Sequence, residues 1–279
     1  EVVARAKEQK VATMAVTDHD SIAEVKEAIK EGKRQGVEVL SGTEVFCKCR
    51  DQFIHMLGYG FDVDAEPIVA LLEKVREDRG RWVKAQIKKL QEENISVKEE
   101  KVYEFCGDTP PLFSSIAYGM WEEEKNRNHP ALKDFNRYDN PLHEISVRLL
   151  AYGKPFFTPH YIPEGKEFID AIHRSGGAAV LAHPGYDQMR IDFTGEKKVI
   201  FELLKNQIDG VEVYYSTHTK EETQIYYDFC KKYGLLYTAG SDFHGKYKPS
   251  IEIGQTETTD PSIVKNLKER IVWWGEKKQ

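Results

Sequence analysis

The sequence predicts an α/β fold in which strands and helices alternate around a parallel sheet, either open or closed into a barrel. Two observations predict this fold. Near both ends of the chain, short apolar runs of strand length alternate with amphipathic helical segments. Between about residues 66 and 162 the pattern changes to charge-rich helical periodicity. We therefore expect an α/β domain formed by residues 1–65 and 163–279, and a helical insertion domain formed by residues 66–162.

The N-terminal part begins with residues 1–9, whose amphipathic spacing is typical of a helix. The predicted strands that follow share short apolar runs: VATMAV (11–16), VEVL (37–40) and FIHMLGYGF (53–61). Between the first two strands, Ser21 and Glu24 have the spacing of a capping box that opens a helix. Gly36 is placed to end this helix.

The middle of the chain predicts helices. Pro67 lies where a helix would begin, and residues 81–94 have the i, i+3/i+4 apolar spacing of a surface helix. Breaks are expected at residues 108–111 and 126–130, where proline and polar residues cluster.

Strand–helix alternation resumes after the insertion. The predicted helices are residues 164–175, which Gly176-Gly177 ends, 197–205, 220–232 and a last one from Pro261. The predicted strands are AAVLAHPG (178–185), GVEVYY (210–215) and LLYTAGSDFHG (235–245). The short connections between them are typical of β–α units with parallel strands.

The composition excludes several classes of protein. Charged residues make up 31% and hydrophobic residues 40% of the 279 positions, which argues against disorder. No apolar run approaches the roughly 20 residues of a membrane helix, and no signal-peptide pattern is present, so we expect a cytoplasmic protein. The net charge of −6 argues against binding of long nucleic acids. The cysteines lack metal-ribbon or redox spacing, and we expect reduced thiols.

Polar side chains that bind metals follow the predicted strands at the points where the strands end. These residues are Asp18, His19, Asp20, Glu44, His183, Asp242 and His244. A further histidine, His55, lies inside its strand. Because the carboxyl ends of parallel strands form one face, these side chains should converge. Imidazole and carboxylate together suit Zn²⁺, Mn²⁺ or Fe²⁺, so a site for several metal ions is predicted.

Five motifs, in the order TDHDS, SGTE, FIHMLGYGFD, VLAHPG and GSDFHG, resemble the PHP (polymerase and histidinol phosphatase) superfamily. The chain is most similar to small bacterial phosphoesterases that act on phosphorylated nucleosides and short oligonucleotides. The resemblance implies a distorted (β/α)₇ barrel, with a helical domain inserted after the FIHMLGYGF strand. It also implies two or three divalent ions, namely Mn²⁺, Zn²⁺ or Fe²⁺, with Mg²⁺ as a further candidate.

The resemblance implies a role for each matching residue. The implied metal ligands are His19, Glu44, His55, His183, Asp242 and His244. Among these, Glu44 would bridge two ions, and Glu44, Asp242 and His183 would serve catalysis. Asp18 and Asp20 match the motif as residues that orient an imidazole or cap the helix. His160 and His218 fall where this branch of the family contacts phosphate or substrate.

The chain departs from the family at two places. The family begins with a strand that carries His-x-His and with a Ser-Asp-Gly turn, whereas this chain begins after that point. Either the first barrel strand is present in the native protein and missing from this sequence, which we expect, or the native protein also lacks it. The family's Arg- and His-containing segment of the insertion reads DTPPLFSSIA here, where Ser114 and Ser115 are candidate donors to phosphate. The arginines at 76, 79 and 81 either replace the missing one or lie on a solvated helix face.

The function expected is that of a metal-dependent phosphoesterase. A metal-bound hydroxide would attack phosphorus in a small phosphorylated substrate, a nucleotide such as a 3′,5′-bisphosphate or a short oligonucleotide. Gly-x-Ser-x-Gly and P-loop patterns are absent from the sequence, which disfavours serine hydrolases and nucleoside triphosphatases. Two alternatives stay open: a histidinol-phosphate phosphatase, and a catalytically silent PHP-like domain that binds a ligand or partner.

Overall fold

The computed structural model of the chain describes residues 1–186, 190–193, 198–256 and 258–277, with the backbone alone at Lys246. The chain forms two compact units, Glu1–Leu72 with Ile162–Gln279 and Glu73–Tyr161. The first boundary lies within helix α3 (Glu66–Glu92), whereas the sequence pattern places it directly before this helix. In the described part of the chain, none of the helices has the length and apolarity that a membrane crossing requires.

The first unit contains the strands. They are β1 (Thr13–Ala15), β2 (Glu38–Leu40), β3 (Gly42–Cys49), β4 (Gln52–Tyr59), β5 (Ala178–Leu181), β6 (Gly210–Tyr215) and β7 (Leu236–Gly240). Within the described residues β1 pairs with β2, and the other strands form one sheet in the order β3-β4-β5-β6-β7. A parallel bridge between His19 and Glu44 connects the segment after β1 to β3.

The large sheet is mixed, which corrects the expectation of a parallel sheet. β3 pairs antiparallel with β4, β4 pairs antiparallel with β5, and only β5, β6 and β7 run parallel. Arg50 has a positive φ of 58° in the short turn that joins β3 to β4, as hairpin turns require. The sequence pattern predicted that Glu44 follows the end of a strand, but the structure places it inside β3.

Helices pack against both groups of strands. In the first unit they are α1 (Val2–Glu8), α2 (Val25–Gln35), α7 (Gly165–Arg174), α8 (Val199–Lys205), α9 (Lys220–Tyr233) and α10 (Ser262–Lys277). Of these, α1 and α2 lie beside β1 and β2, and the later helices pack against the large sheet. All four residues of β5 are buried, as expected for a strand covered on both faces. Phe168 and Ile172 of α7 pack in the same core as Ile54 and Met56 of β4. Each such side chain contributes about 1.5–3 kcal/mol by leaving water.

The helix ends agree only in part with the sequence prediction. Gly36 ends α2 in the left-handed conformation, as predicted. The capping box at Ser21 and Glu24 is wrong, because α2 begins at Val25 and the Ser21 hydroxyl instead accepts the N–H of Ala23. The helix predicted from residue 197 is α8, and its predicted first residue lies outside the described residues.

The second unit is helical and has its own core. It contains the remainder of α3 and the helices α4 (Glu99–Cys106), α5 (Phe113–Trp121) and α6 (Pro141–Ile145). A π-helical turn, Ser146–Leu150, continues α6. A Cβ on Gly119 would lie 2.7 Å from Cγ2 of Val102, so glycine allows α5 to pack closely on α4. Trp82 and Leu90 of α3 are buried in this core.

Candidate functional site

Glu44 lies at the centre of a cluster of histidines in the first unit. Its Oε1 is 2.6 Å from Nδ1 of His55 and 2.9 Å from Nε2 of His183. Its Oε2 is 3.9 Å from Nδ1 of His19. One buried carboxylate thus faces three imidazoles that come from distant parts of the sequence.

Asp242 and His244 continue this cluster beyond β7. Nδ1 of His244 lies 3.2 Å from Oδ1 of Asp242, and the rings of His244 and His19 have centroids 5.9 Å apart. The other oxygen of Asp242 accepts the Tyr215 hydroxyl at 2.8 Å and also the Lys248 ammonium. The structure therefore brings all six predicted metal ligands together in one continuous group.

The turn after β1 is fixed to β3 by backbone hydrogen bonds. The N–H of Glu44 donates to the carbonyl of Asp18, and the N–H of Asp20 donates to the carbonyl of Glu44 at 2.8 Å. Asp20 has a φ of +52°, a conformation that Asp tolerates better than most residues, and its carboxylate accepts the N–H of Phe46. These contacts of Asp18 and Asp20 hold the turn that carries His19 beside β3, and the predicted role of their side chains stays a prediction.

Two of the candidate ligands have unusual backbone conformations. His183 follows β5 with a φ of +20°, and Asp242 follows β7 with a φ of +55°. Non-glycine residues seldom adopt positive φ, and such strain is often found at functional sites. The strand ends thus turn sharply at the positions where these two side chains join the cluster.

Burial and mutual charge set the protonation of the cluster. Burial acts to raise the pKa of Glu44, but the surrounding imidazoles hold that pKa well below its usual range. For His183, burial acts to lower the pKa, and the bond to Glu44 outweighs it and raises the pKa to about 9. Burial lowers the pKa values of His55 and His244. At neutral pH Glu44 is thus ionised and His183 is protonated, whereas His55 and His244 are neutral.

The donor atoms in this cluster fit divalent metal ions. Ligand atoms of His19, Glu44 and His55 all lie within 4.8 Å of one another. Neutral imidazole nitrogen and carboxylate oxygen are ligands that divalent transition metals accept. An ion that binds His183 must first displace its proton, as metals do at histidine ligands.

His218 was predicted to contact substrate, and the structure shows both of its ring nitrogens bonded to the protein backbone. Nδ1 donates to the carbonyl of Val213 at 2.9 Å, and Nε2 accepts the N–H of Gly185 at 3.2 Å. Burial lowers the pKa of His218 to about 4, which keeps the ring neutral. Its contact with substrate stays a prediction.

Other predicted substrate residues lie in the second unit. The Ser115 hydroxyl accepts the N–H of Leu112 at 2.7 Å and donates to the Leu112 carbonyl, so it caps the start of α5. Nε2 of His160 accepts Nη1–H of Arg79 at 2.7 Å, and burial together with this guanidinium lowers the His160 pKa to about 4. These two substrate contacts stay predictions.

The three arginines of α3 have different surroundings. The side chain of Arg81 is 68% exposed, as expected on a solvated helix face. Arg79 is only 2% exposed, so its guanidinium is not on that face. Arg76 donates to the carbonyl of Asp108 at 2.6 Å.

Sequence reasoning missed three residues of the site. Glu212 accepts the N–H of His183, and Tyr215 and Lys248 bind Asp242. The signal for Glu212 was present, because it is a lone carboxylate in the apolar strand GVEVYY. Such a residue is seldom buried without a specific partner.

Comparison with characterised proteins agrees with this geometry. The chain is 27% identical over 276 residues to a 3′,5′-nucleoside bisphosphate phosphatase of Chromobacterium violaceum, covering 98% of this chain and 92% of that protein. It is 29% identical over 248 residues to a 5′-3′ exoribonuclease of Haemophilus influenzae, covering 88% of this chain and 83% of that protein.

Comparison with solved structures supports the fold. A crystal structure from Bifidobacterium adolescentis superposes with a TM-score of 0.79, at 24% identity, over 96% of this chain and 89% of that one. The family described as PHP domain matches residues 1–242. The superposition confirms the fold class, and the family match confirms the family, that the five motifs predicted. The chain therefore belongs to the PHP domain family.

Proposed function

We propose that this protein is a metal-dependent phosphoesterase that hydrolyses phosphate monoesters of nucleotides, with 3′,5′-bisphosphates as its substrates. The convergence of four histidines on Glu44 and Asp242, which together make six candidate ligands, carries the proposal. Segments far apart in the sequence place histidines and carboxylates in one group around the buried Glu44, which a purely structural role does not require.

The proposed ligands fall into two sets. Glu44, His55 and His183 would hold one ion, while His19, Asp242 and His244 would hold the remainder, with Glu44 shared between the sets. When bound, divalent ions supply a water that is acidic near neutral pH and positive charge for the phosphate oxygens. The nitrogen ligands favour Mn²⁺, Zn²⁺ or Fe²⁺ over Mg²⁺.

The protein's own residues prepare the site for this chemistry. The ionised Glu44 supplies negative charge at the centre of the cluster, because its imidazole neighbours keep its pKa low. The Tyr215 hydroxyl fixes one oxygen of Asp242 and leaves the other facing His244. Lys248 supplies a cation beside Asp242. Cations near such carboxylates also attract phosphate.

The named relatives support a nucleotide substrate. One acts on nucleoside 3′,5′-bisphosphates and another is an exoribonuclease, so a short oligonucleotide is the second candidate. The net charge of −6 favours a small substrate over a long polyanion. In the second unit we propose His160, with Arg79 beside it, as a phosphate contact.

The test is release of phosphate from adenosine 3′,5′-bisphosphate by the Mn²⁺-supplemented protein, compared with a 5′-phosphorylated RNA trimer and with histidinol phosphate. We expect the bisphosphate to have the highest kcat/KM. A preference for histidinol phosphate would support that alternative and contradict the nucleotide proposal. Bound metal without turnover of any of the three would support the catalytically silent alternative.

A further inference from the structure

The segment from His183 to Gly185, which follows β5, is held at two positions by side chains from β6 and the turn after it. Oε2 of Glu212 accepts the N–H of His183 at 2.8 Å. Nε2 of His218 accepts the N–H of Gly185 at 3.2 Å. The segment therefore has two backbone donors that are satisfied by side chains rather than by a neighbouring strand.

The hydrogen-bond partners of His218 fix its tautomer. Nδ1 donates to the carbonyl of Val213, so the proton is assigned to Nδ1 and Nε2 is left as an acceptor. The ring also packs closely on this segment, because a Cβ on Gly185 would lie 2.8 Å from its Cδ2. His218 is only 7% exposed, so its ring is enclosed by these protein contacts.

The register of β6 with β7 changes next to Glu212, whose side chain binds the segment that carries His183. Glu212 pairs with Thr238, but Tyr214 pairs with Ala239, so the register shifts around Val213. Such bulges bend a strand and redirect its side chains. On the neighbouring strand, Gly240 leaves space for the carboxylate, since a Cβ there would lie 2.1 Å from Oε1 of Glu212.

The conformation of His183 requires this support. Its φ of +20° is unfavourable for a residue with a Cβ, and such a conformation persists only where the surroundings enforce it. The hydrogen bond from its N–H to Glu212 fixes the backbone of His183, and the hydrogen bond between its ring and Glu44 fixes the side chain. The direction of the imidazole therefore depends on the backbone contacts made by Glu212 and His218.

We infer that Glu212 and His218 are positioning residues, which hold the His183 imidazole against Glu44 and so set the affinity of this part of the site for a divalent ion. They act through the backbone of His183 and Gly185 and do not themselves ligate the ion. The inference rests on the proposed metal-dependent function. It also gives His218 a role different from the predicted contact with substrate.

The test is calorimetric titration of Mn²⁺ into the full chain after metal has been removed with a chelator. Glu212→Met and His218→Phe keep the approximate shape of each side chain and remove the acceptor. We expect each to weaken Mn²⁺ binding by roughly tenfold to a hundredfold, as loss of such supporting partners does. Glu212→Gln and His218→Gln retain an acceptor and should recover most of the lost affinity.

Control variants and kinetics separate positioning from other roles. Asp209→Asn, at the opposite end of β6, should lower stability and leave Mn²⁺ affinity unchanged. At saturating Mn²⁺, His218→Phe should keep the wild-type KM, whereas a substrate contact would raise KM with no change in Mn²⁺ affinity. Wild-type Mn²⁺ affinity in both Glu212→Met and His218→Phe overturns the inference.

Two arrangements keep this test decisive. If Glu212→Met does not fold, His218→Phe still tests the inference. It leaves the Glu212 carboxylate in place and removes only the acceptor for the N–H of Gly185. The titration does not depend on turnover, so an inactive wild-type protein would contradict the proposed function and leave the affinity comparison intact.

Discussion

At the scale of one residue, the groups that offset the free-energy cost of burying the Glu44 carboxylate are the same groups that form the proposed metal site. Removing a carboxylate from water is unfavourable, and Glu44 is only 4% exposed. The imidazoles of His19, His55 and His183 offset that cost, and they are also the ligands that a metal ion needs. The same contacts thus stabilise the charge and form the proposed site.

Glu44→Gln should therefore lower metal content and turnover together, with the fold retained. The amide keeps the shape of the side chain and loses the charge that the ions require. We expect Mn²⁺ affinity to fall by at least roughly tenfold, measured by calorimetry, while circular dichroism stays unchanged. Glu31→Gln on the surface of α2 is the matched control. Wild-type metal content in both Glu44→Gln and His183→Ala would contradict the assignment of the site.

The His183–Glu44 pair should give the metal-free protein a distinct pH dependence. The folded-state pKa of His183 is about 9, above the value of about 6.5 for an unfolded histidine. Its contribution to stability is therefore complete below pH ~6.5 and is lost as the pH rises through about 9. The expected loss is on the order of 3 kcal/mol in the free energy of unfolding.

This pH dependence can be measured by urea denaturation of the chelator-treated protein between pH ~6 and ~9.5. His183→Asn removes the titrating group and should flatten the profile across this window. An equal decline in stability in the variant and in the wild type would assign the effect to other groups.

At the scale of elements, Asp209 joins three of them at the end of the sheet opposite to the site. Its carboxylate accepts the N–H of Ala179 at the start of β5 at 2.8 Å and contacts His173 of α7 at 2.7 Å. It also accepts Arg270 and Trp274 of α10, at 2.8 and 2.9 Å. This one fully buried side chain fixes the C-terminal helix to the sheet.

Asp209→Asn should lower the free energy of unfolding by about 3 kcal/mol, because it removes the fully buried carboxylate that pairs with the Arg270 guanidinium and leaves that cation without its partner. Burial acts to raise the pKa of Asp209, and its hydrogen bonds with His173 and Trp274 hold it below the ordinary value. Its stabilising effect is thus present above pH ~3.8 and is lost as the pH falls through the lower folded value.

Thermal and urea denaturation measure the effect. Asp170→Asn, which removes an exposed ion pair with Lys166 on α7, is the control and should change stability by less than about 0.5 kcal/mol. Equal effects of the two substitutions would show that Asp209 does not anchor α10.

The elements also show what the sequence pattern can and cannot predict. The structure places His19, His183, Asp242 and His244 after strand ends, as the sequence pattern predicted, because strand ends are marked by a change from apolar to polar residues. The direction of β3 leaves no such mark, so its antiparallel pairing and the place of Glu44 inside it were missed. The bulge after Glu212 was also invisible, because period-two alternation cannot show a shift in register.

At the scale of the whole molecule, the net charge is negative and would repel phosphate. The chain has a net charge of −6, yet its proposed site gathers histidines and buried carboxylates where cations would bind. A protein of this charge has no general attraction for polyanions, so contact with phosphate would depend on ions held locally. Five short motifs were enough to predict the family and the fold. Substrate contacts could not be predicted in this way, because they depend on which side chains are neighbours in the folded protein.

The proposed function requires that the cluster around Glu44 and Asp242 binds the divalent ions on which phosphate hydrolysis depends. The most direct test is elemental analysis of the purified chain, combined with phosphate release from adenosine 3′,5′-bisphosphate before and after chelation. We predict two or more divalent ions per chain and hydrolysis that chelation abolishes and Mn²⁺ restores. One bound ion or none, with no phosphate released in the presence of Mn²⁺, would contradict it.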